Sequence, residues 1–134
     1  MVGDYILAKG LQLQLEHKKY NFLHLISRAV QDMAEGEILQ MKKSRKLDIN
    51  DETYFEIIRK KTASLIATSM AIGTASVTEK EETIEKMYRI GQNVGIAFQI
   101  KDDIFDYQAK GLIGKPTGND IKEKKITLPL LYVL

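Results

Sequence analysis

Three aspartates and a glutamine in the second half of the chain have residue types and a spacing that suit a metal ion. They are Gln99, Asp102, Asp103 and Asp106. On a helix, Asp102 and Asp106 share one face with Gln99, and Asp103 lies to its side. Neighbouring carboxylates raise each other's pKa values unless a cation neutralises them. Magnesium suits this ligand set, because it takes one or two carboxylates and completes its shell with water and phosphate oxygens.

The alternative interpretation of the acidic cluster is a solvated helix face, which is common when an Asp-Asp-x-x-Asp match stands alone. Apolar residues surround this cluster, however, at Val94, Ile96, Ala97, Phe98, Ile100, Ile104, Phe105 and Tyr107. Carboxylates in so apolar a helix are costly unless they line a polar cleft. The sequence therefore favours the metal-site interpretation.

A loop that follows the acidic cluster is a second candidate. Residues 114–120 include two glycines, a proline and a threonine, which are typical of loops, together with Lys115 and Asp120, and Lys125 follows shortly afterwards. The spacing is not that of a Walker phosphate loop. An ordinary surface loop is the alternative, but lysines beside an acidic helix would balance the charge of a metal-bound diphosphate.

A lysine and a threonine near the middle of the chain form a third, weaker candidate. Lys61 and Thr62 lie inside a predicted helix, where lysines usually extend to solvent. The small residues that follow them leave room for a neighbouring helix or for a ligand. The histidines, His17 and His24, have no acidic partner at metal-ligand spacing and are interpreted as structural.

Helical periodicity predicts the elements that must position these residues. Apolar residues recur at three-to-four spacing, and only 2 prolines and 9 glycines interrupt the chain. We expect helices over about 1–16, 21–43, 51–73 and 78–107, with a further helix start at Thr127-Leu128-Pro129. Asn50 or Asp51 is the expected N-cap of the third helix, and Thr78 with Glu81 has capping-box spacing. The predicted fold class is all-α.

Composition excludes several function classes. The absence of cysteine excludes disulfides and thiolate metal sites. No apolar run approaches the roughly 20 residues that a membrane span needs, and no secretory signal is visible, so a cytoplasmic location is expected. The net charge of +2 is distributed among interleaved basic and acidic residues, which argues against nucleic-acid binding.

A series of segments, taken in order, resembles trans-isoprenyl diphosphate synthases, the polyprenyl synthetase family. They are Gly3-Asp4-Tyr5-Ile6-Leu7-Ala8, Glu35-Gly36-Glu37 with Gln40, Lys61-Thr62-Ala63-Ser64-Leu65, residues 95–107, residues 114–120 and Lys125-Ile126-Thr127-Leu128-Pro129-Leu130. The ordered set is far more specific than any one motif. It implies that residues 1–134 are a single partial domain, the C-terminal portion of an isoprenoid-synthase helical bundle, with a leaning towards long-chain polyprenyl synthases.

The resemblance also implies an activity and residue roles. Family members are magnesium-dependent prenyltransferases, commonly homodimeric, that join isopentenyl diphosphate to an allylic diphosphate. Carried over, Asp102, Asp103 and Asp106 are magnesium ligands; Lys61, Lys115 and Lys125 bind the allylic diphosphate; Thr62 and Gln99 lie near the reacting carbons; Asp120 organises the loop or the metal's water shell.

Besides the motif at Asp102, Asp103 and Asp106, the family has another acidic motif that this sequence does not contain. Asp102-Asp103 is the only Asp-Asp pair, whereas the family carries another aspartate-rich motif, and the basic residues for isopentenyl diphosphate, further towards the N-terminus. We therefore expect a truncated chain that is inactive by itself. The alternative is a non-catalytic subunit or helical interaction module of a heteromeric prenyl synthase. A terpene cyclase is less favoured, because its second metal motif mixes other residue types.

Overall fold

The computed structural model describes residues 1–46, 49–107, 118, 120 and 125–133, apart from the side chains of Arg45 and Lys46. Its elements are α1 (Val2–Glu16), α2 (Tyr20–Lys46), α3 (Asp51–Ile58), a π-helical segment (Arg59–Ala63), α4 (Ser64–Ala75), α5 (Glu81–Asp106) and the short α6 (Leu128–Leu131). No strand occurs in these ranges. The all-α prediction is therefore confirmed.

The predicted helix boundaries are largely confirmed, with one error at the start of α5. The Asn50 side chain accepts a hydrogen bond from the Thr53 backbone N–H at 2.9 Å, so Asn50 is the N-cap of α3. The predicted capping box at Thr78 is wrong. Lys80 is the N-cap of α5, and Thr78 Oγ1 instead accepts from the Lys80 N–H at 3.3 Å in a turn before the helix. Most of the predicted loop at 108–120 lies outside the described residues.

The third predicted helix contains a π-helical turn that the periodicity did not indicate. The chain runs from α3 through Arg59–Ala63 into α4 without a break, and the Ser64 backbone N–H bonds to the Arg59 carbonyl. This bond spans five residues instead of four, so one extra residue is wound into the helix. Two of the predicted site residues, Lys61 and Thr62, lie in this wider turn. Such turns are often found at functional sites.

Helices α4 and α5 make the most extensive contact in the fold. Gly91 and Gly95 of α5 are buried against this neighbour. A methyl group added at Gly95 would lie 2.5 Å from the Ala63 Cα atom, and one at Gly91 would lie 2.7 Å from the Ala67 Cα atom. These glycines therefore allow close packing and do not split the helix.

The helices differ strongly in how much surface they bury. α1 contains no buried residue, and large apolar side chains such as Tyr5 and Ile6 are well exposed on it. The buried core is instead built from α3, the π-helical segment and α4, with Tyr54, Ile57 and Ala63 each at most 3% exposed. Within the described part of the chain, no helix combines the length and apolar composition that crossing a membrane requires.

Candidate active site

A buried carboxylate at the end of α5 is held by donors from two helices. Asp103 is only 4% exposed. The Tyr54 hydroxyl of α3 donates to Asp103 Oδ2 at 2.6 Å, and Gln99 Nε2, one turn earlier in α5, donates to Oδ1 at 2.7 Å. Each carboxylate oxygen therefore has a hydrogen-bond partner, as a buried charge requires. The hydrogen bond from Tyr54 therefore links the acidic cluster of α5 directly to α3.

The same network extends to the π-helical segment. Thr62 Oγ1 donates to Gln99 Oε1 at 2.8 Å. The structure therefore brings Thr62, Gln99 and Asp103 together in one hydrogen-bonded chain, although Thr62 and Gln99 lie 37 residues apart in the sequence. This series of hydrogen bonds ends at Thr62 Oγ1, in the residue that follows Lys61.

Lys61 is held on the opposite side by α2. Its Nζ atom lies 2.5 Å from Glu37 Oε2 and donates to Gln40 Oε1 at 2.7 Å. Gly36 allows this approach, since a methyl group there would lie 2.7 Å from the Lys61 backbone nitrogen. About a third of the Lys61 side chain is exposed, so its ammonium group remains reachable by an anion from solvent.

Gly118 and Asp120 contact the third aspartate of the cluster. Asp106 Oδ2 accepts from the Asp120 backbone N–H at 3.0 Å, and the Asp106 carbonyl accepts from the Gly118 N–H at 2.9 Å. Gly118 has a φ of 77°, a conformation that glycine adopts without a steric penalty. The Lys125 ammonium lies 3.9 Å from Asp120 Oδ1. Asp106 thus binds the backbone of Gly118 and of Asp120, and Asp120 lies beside Lys125.

These residues surround one cavity of about 240 Å³. Its lining contains Gln40, Tyr54, Ile57, Ile58, Lys61, Thr62, Gln99, Asp102, Asp103, Asp120, Lys125, Ile126 and Thr127. Cationic, anionic and amide groups therefore meet over an apolar floor. Asp106 supports the wall without lining it. Lys115 lies outside the described residues.

Burial and mutual repulsion set the electrostatics of the acidic groups. Burial is the main cause that raises the pKa of Asp103, and the hydrogen bonds from Tyr54 and Gln99 partly offset it. The pKa of Asp120 is raised first by burial and then by Asp106 and Asp103. Burial, followed by the hydrogen bond to Asp103, raises the pKa of the Tyr54 hydroxyl far above its usual range. A nearby cation would relieve this concentration of negative charge.

The donor set fits magnesium if other ligands complete its shell. Within the described ranges, no three histidine or acidic side chains converge closely enough to enclose an ion by themselves. Asp102 lines the cavity and is partly exposed. Magnesium is usually held by one or two carboxylates plus water and substrate phosphates. An ion at Asp102 would therefore depend on oxygen atoms from a bound anion.

The sequence did not single out all of the residues in this site. The spacing of Tyr54 fits a core position of the third helix and gives no sign of a polar role. Its hydroxyl contacts Asp103, which lies 49 residues away. Glu37 and Gln40 belong to a segment that carried the family resemblance, but they had no role before the structure placed them on Lys61.

A larger cavity, of about 540 Å³, lies at the opposite end of the bundle. Lys18, Lys19 and Phe22 contribute to its lining, together with the ends of α4 and α5. Its lining contains none of the site residues that the sequence predicted. The 240 Å³ cavity is therefore the candidate active site.

Comparison with known proteins connects this site to a family. The polyprenyl synthetase family matches residues 1–134. The octaprenyl diphosphate synthase of Escherichia coli is 39% identical over 137 residues, with coverage of 100% of this chain and 42% of the relative. Component 2 of the heptaprenyl diphosphate synthase of Geobacillus stearothermophilus is 35% identical over 133 residues, with coverage of 98% and 42%.

Solved structures agree with these relatives. A polyprenyl synthase from Caulobacter crescentus, complexed with calcium and isoprenyl diphosphate, superposes with a TM-score of 0.90 at 39% identity, over 98% of this chain and 40% of that one. The chain thus spans about two fifths of the length of the proteins that it matches. The family match covers residues 1–134 and the structural superposition covers 98% of this chain. The chain belongs to the polyprenyl synthetase family.

Proposed function

We propose that this chain carries one wall of the active site of a trans-prenyltransferase, which condenses isopentenyl diphosphate with an allylic diphosphate. One observation carries the proposal: Lys61, Thr62, Gln99 and the aspartates Asp102 and Asp103 surround the same cavity. An ammonium group suits a diphosphate, carboxylates suit a divalent cation, and neutral oxygen atoms suit a developing carbocation. The apolar residues of the floor suit a prenyl chain.

In the proposed reaction, the C–O bond of the allylic diphosphate breaks and the diphosphate departs with the electron pair. The double bond of isopentenyl diphosphate then attacks the allylic cation, and loss of a proton restores a double bond. Lys61 and Lys125, with Lys115, bind the departing diphosphate. The oxygen atoms of Thr62 and Gln99 stabilise the positive charge, because fixed dipoles act strongly in a site shielded from water.

Magnesium, when bound, would neutralise the charge that accumulates on the leaving diphosphate. We assign Asp102, Asp103 and Asp106 to this metal centre, and Asp120 to its support through the contact with Asp106. The calcium and isoprenyl diphosphate in the Caulobacter structure support a divalent cation and an isoprenyl diphosphate as ligand classes. We further propose a homodimeric, cytoplasmic enzyme that makes a long-chain product, in keeping with the names of several relatives.

A second candidate function is a subunit of a two-component prenyl synthase. Two observations favour it: α1 exposes large apolar side chains, and the relative from Geobacillus is named as a component. The site around Asp103 favours a catalytic component over a purely structural one. Either candidate predicts that this chain, which holds a single Asp-Asp pair, makes no product alone.

A chimera tests the proposal. This chain replaces the matching segment of the Caulobacter polyprenyl synthase, and product formation is measured with isopentenyl diphosphate, an allylic diphosphate and varied Mg²⁺. We expect magnesium-dependent elongation by this Caulobacter chimera and none by the chain alone. Asp102→Asn should lower turnover by roughly 100-fold or more, since it removes charge from the site where the leaving group develops it.

The matched control is Asp51→Asn, which makes the same chemical change at an exposed position in the first turn of α3. It should leave turnover and magnesium dependence unchanged. Full magnesium-dependent turnover in Asp102→Asn would refute the metal assignment. Product formation by the chain alone would show that the reaction does not need the other acidic motif of the family.

A further inference from the structure

The hydroxyl of Tyr54 occupies a position that the proposed reaction does not yet use. Tyr54 is 3% exposed, and its OH donates to a carboxylate oxygen that is itself buried. Asp103 is also the acceptor for Gln99, so two donors from different helices fix its two oxygen atoms. Because this hydrogen bond joins the hydroxyl to Asp103, its effect on the site passes through Asp103.

The charge of Asp103 determines the direction of every hydrogen bond beyond it. A carboxylate can only accept, so Gln99 must turn its NH₂ group towards Asp103. The amide oxygen of Gln99 then faces Thr62, and the Thr62 hydroxyl must donate its hydrogen at 2.8 Å. A neutral group in place of Asp103 would remove this constraint, because an amide can present either its oxygen or its nitrogen.

We propose that Tyr54 and Asp103 form a positioning pair, which acts through Gln99 and Thr62 so that oxygen lone pairs, and not N–H or O–H hydrogens, are offered to the reacting carbon. The inference rests on the proposed reaction, in which that carbon becomes positive. A reversed Gln99 would offer amide hydrogens to a cation and raise the barrier. Tyr54 keeps Asp103 in the one orientation that its two donors share.

Tyr54→Phe in the Caulobacter chimera tests the role of the hydroxyl. Turnover should fall by roughly 10-fold to 100-fold, the effect of losing a group that orients a site residue. The KM for the allylic diphosphate should change by less than about threefold, because Lys61 and Lys125 are untouched. Tyr107→Phe is the matched control, since its hydroxyl bonds to Thr127 at 2.9 Å and not to the acidic cluster. Unchanged turnover in Tyr54→Phe, or an equal loss in Tyr107→Phe, would overturn the proposal.

A charge exchange separates positioning from a general need for charge at Asp103. Gln99→Glu alone sets two carboxylates against each other and should abolish turnover. Adding Asp103→Asn gives a donor that faces the new carboxylate, and both Tyr54 and Thr62 can still donate as before. The turnover of the double variant should therefore be roughly 10-fold or more higher than that of Gln99→Glu. A double variant no better than Gln99→Glu at every Mg²⁺ concentration up to saturation overturns the inference.

Amide hydrogen exchange in the 134-residue chain supplies a readout that needs no turnover. The side-chain NH₂ signal of Gln99, identified by its loss in Gln99→Glu, should exchange slowly in the wild type. Tyr54→Phe should speed this exchange by roughly 10-fold, and Tyr107→Phe should not. Rapid exchange in the wild-type chain would contradict the positioning pair whether or not the Caulobacter chimera makes product, so the two proposals fail separately.

Discussion

Replacing Gly95 with alanine should destabilise the protein, although alanine favours helices. The added methyl carbon would lie 2.5 Å from the Ala63 Cα atom and 2.8 Å from its Cβ atom, whereas carbon atoms pack at about 3.5–4.0 Å. The obstruction is the backbone of the π-helical segment, so this segment and α5 must separate by roughly 1 Å to relieve the overlap. Overpacking of this kind costs up to about 3 kcal/mol, and the better helix propensity of alanine returns about 1 kcal/mol. We expect a net loss of about 2 kcal/mol.

Gly73→Ala is the matched control, because Gly73 lies in the partner helix α4 and an added methyl group meets nothing within 4 Å. It should stabilise the protein by up to about 1 kcal/mol. The assay is urea unfolding followed by circular dichroism, in which Gly95→Ala should lower the midpoint by roughly 1 M. Adding Ala63→Gly should rescue little, since the Cα atom of Ala63 still obstructs the methyl group. Equal stability of the two single variants would refute the close-packing argument.

Three further predictions concern the supports of the site. Asn50→Ala removes the side-chain cap of α3 and should cost about 1 kcal/mol in the same unfolding assay; no loss would mean that the cap is not formed in solution. Glu37→Gln should change stability by less than about 1 kcal/mol and tighten binding of Mg²⁺-diphosphate by up to about fivefold in calorimetric titration, because Glu37 no longer competes for Lys61. Weaker binding would assign Glu37 to the ligand instead. Burial raises the pKa of Asp103, so the folded state takes up this proton at a higher pH than the unfolded chain. The wild type should therefore gain stability relative to Asp103→Asn as the pH falls through the folded-state pKa, until the ordinary value of 3.8 is passed. A difference that is constant with pH would contradict the shift.

Periodicity and caps predicted most of the fold because the helices are long and amphipathic. The start of α5 was misplaced because the Thr78 side chain accepts from the Lys80 N–H in a turn and does not cap the helix, which begins at Glu81. The π-helical turn was also missed. One extra residue changes the apolar periodicity only slightly, and tertiary contacts with α2 and α5 decide whether the turn widens.

The acidic cluster was predictable from local spacing, but its surroundings were not. Asp102 and Asp103 are adjacent in sequence, and only the fold separates the cavity-facing carboxylate of Asp102 from the buried one of Asp103. Tyr54 had an unremarkable core spacing, and its partner lies on another helix. The sequence singled out Lys61, Thr62 and Gln99 and the family resemblance supplied their roles, whereas the structure supplied the hydrogen bond that joins Thr62 to Gln99.

Two consecutive residues of the wider turn at Arg59–Ala63 both contact α5. Tyr54, Ile58 and Thr62 follow one another at every fourth position, and Thr62 meets Gln99 of α5. A second series at the same interval includes Ala63 and Ala67, which make the close contacts with Gly95 and Gly91, and the buried Ala71. Deleting one residue between Ile58 and Thr62 would turn Tyr54 by about 100° relative to Ala63. The helix could then keep the hydrogen bond of Tyr54 to Asp103 or the tight packing against Gly95 and Gly91, but not both.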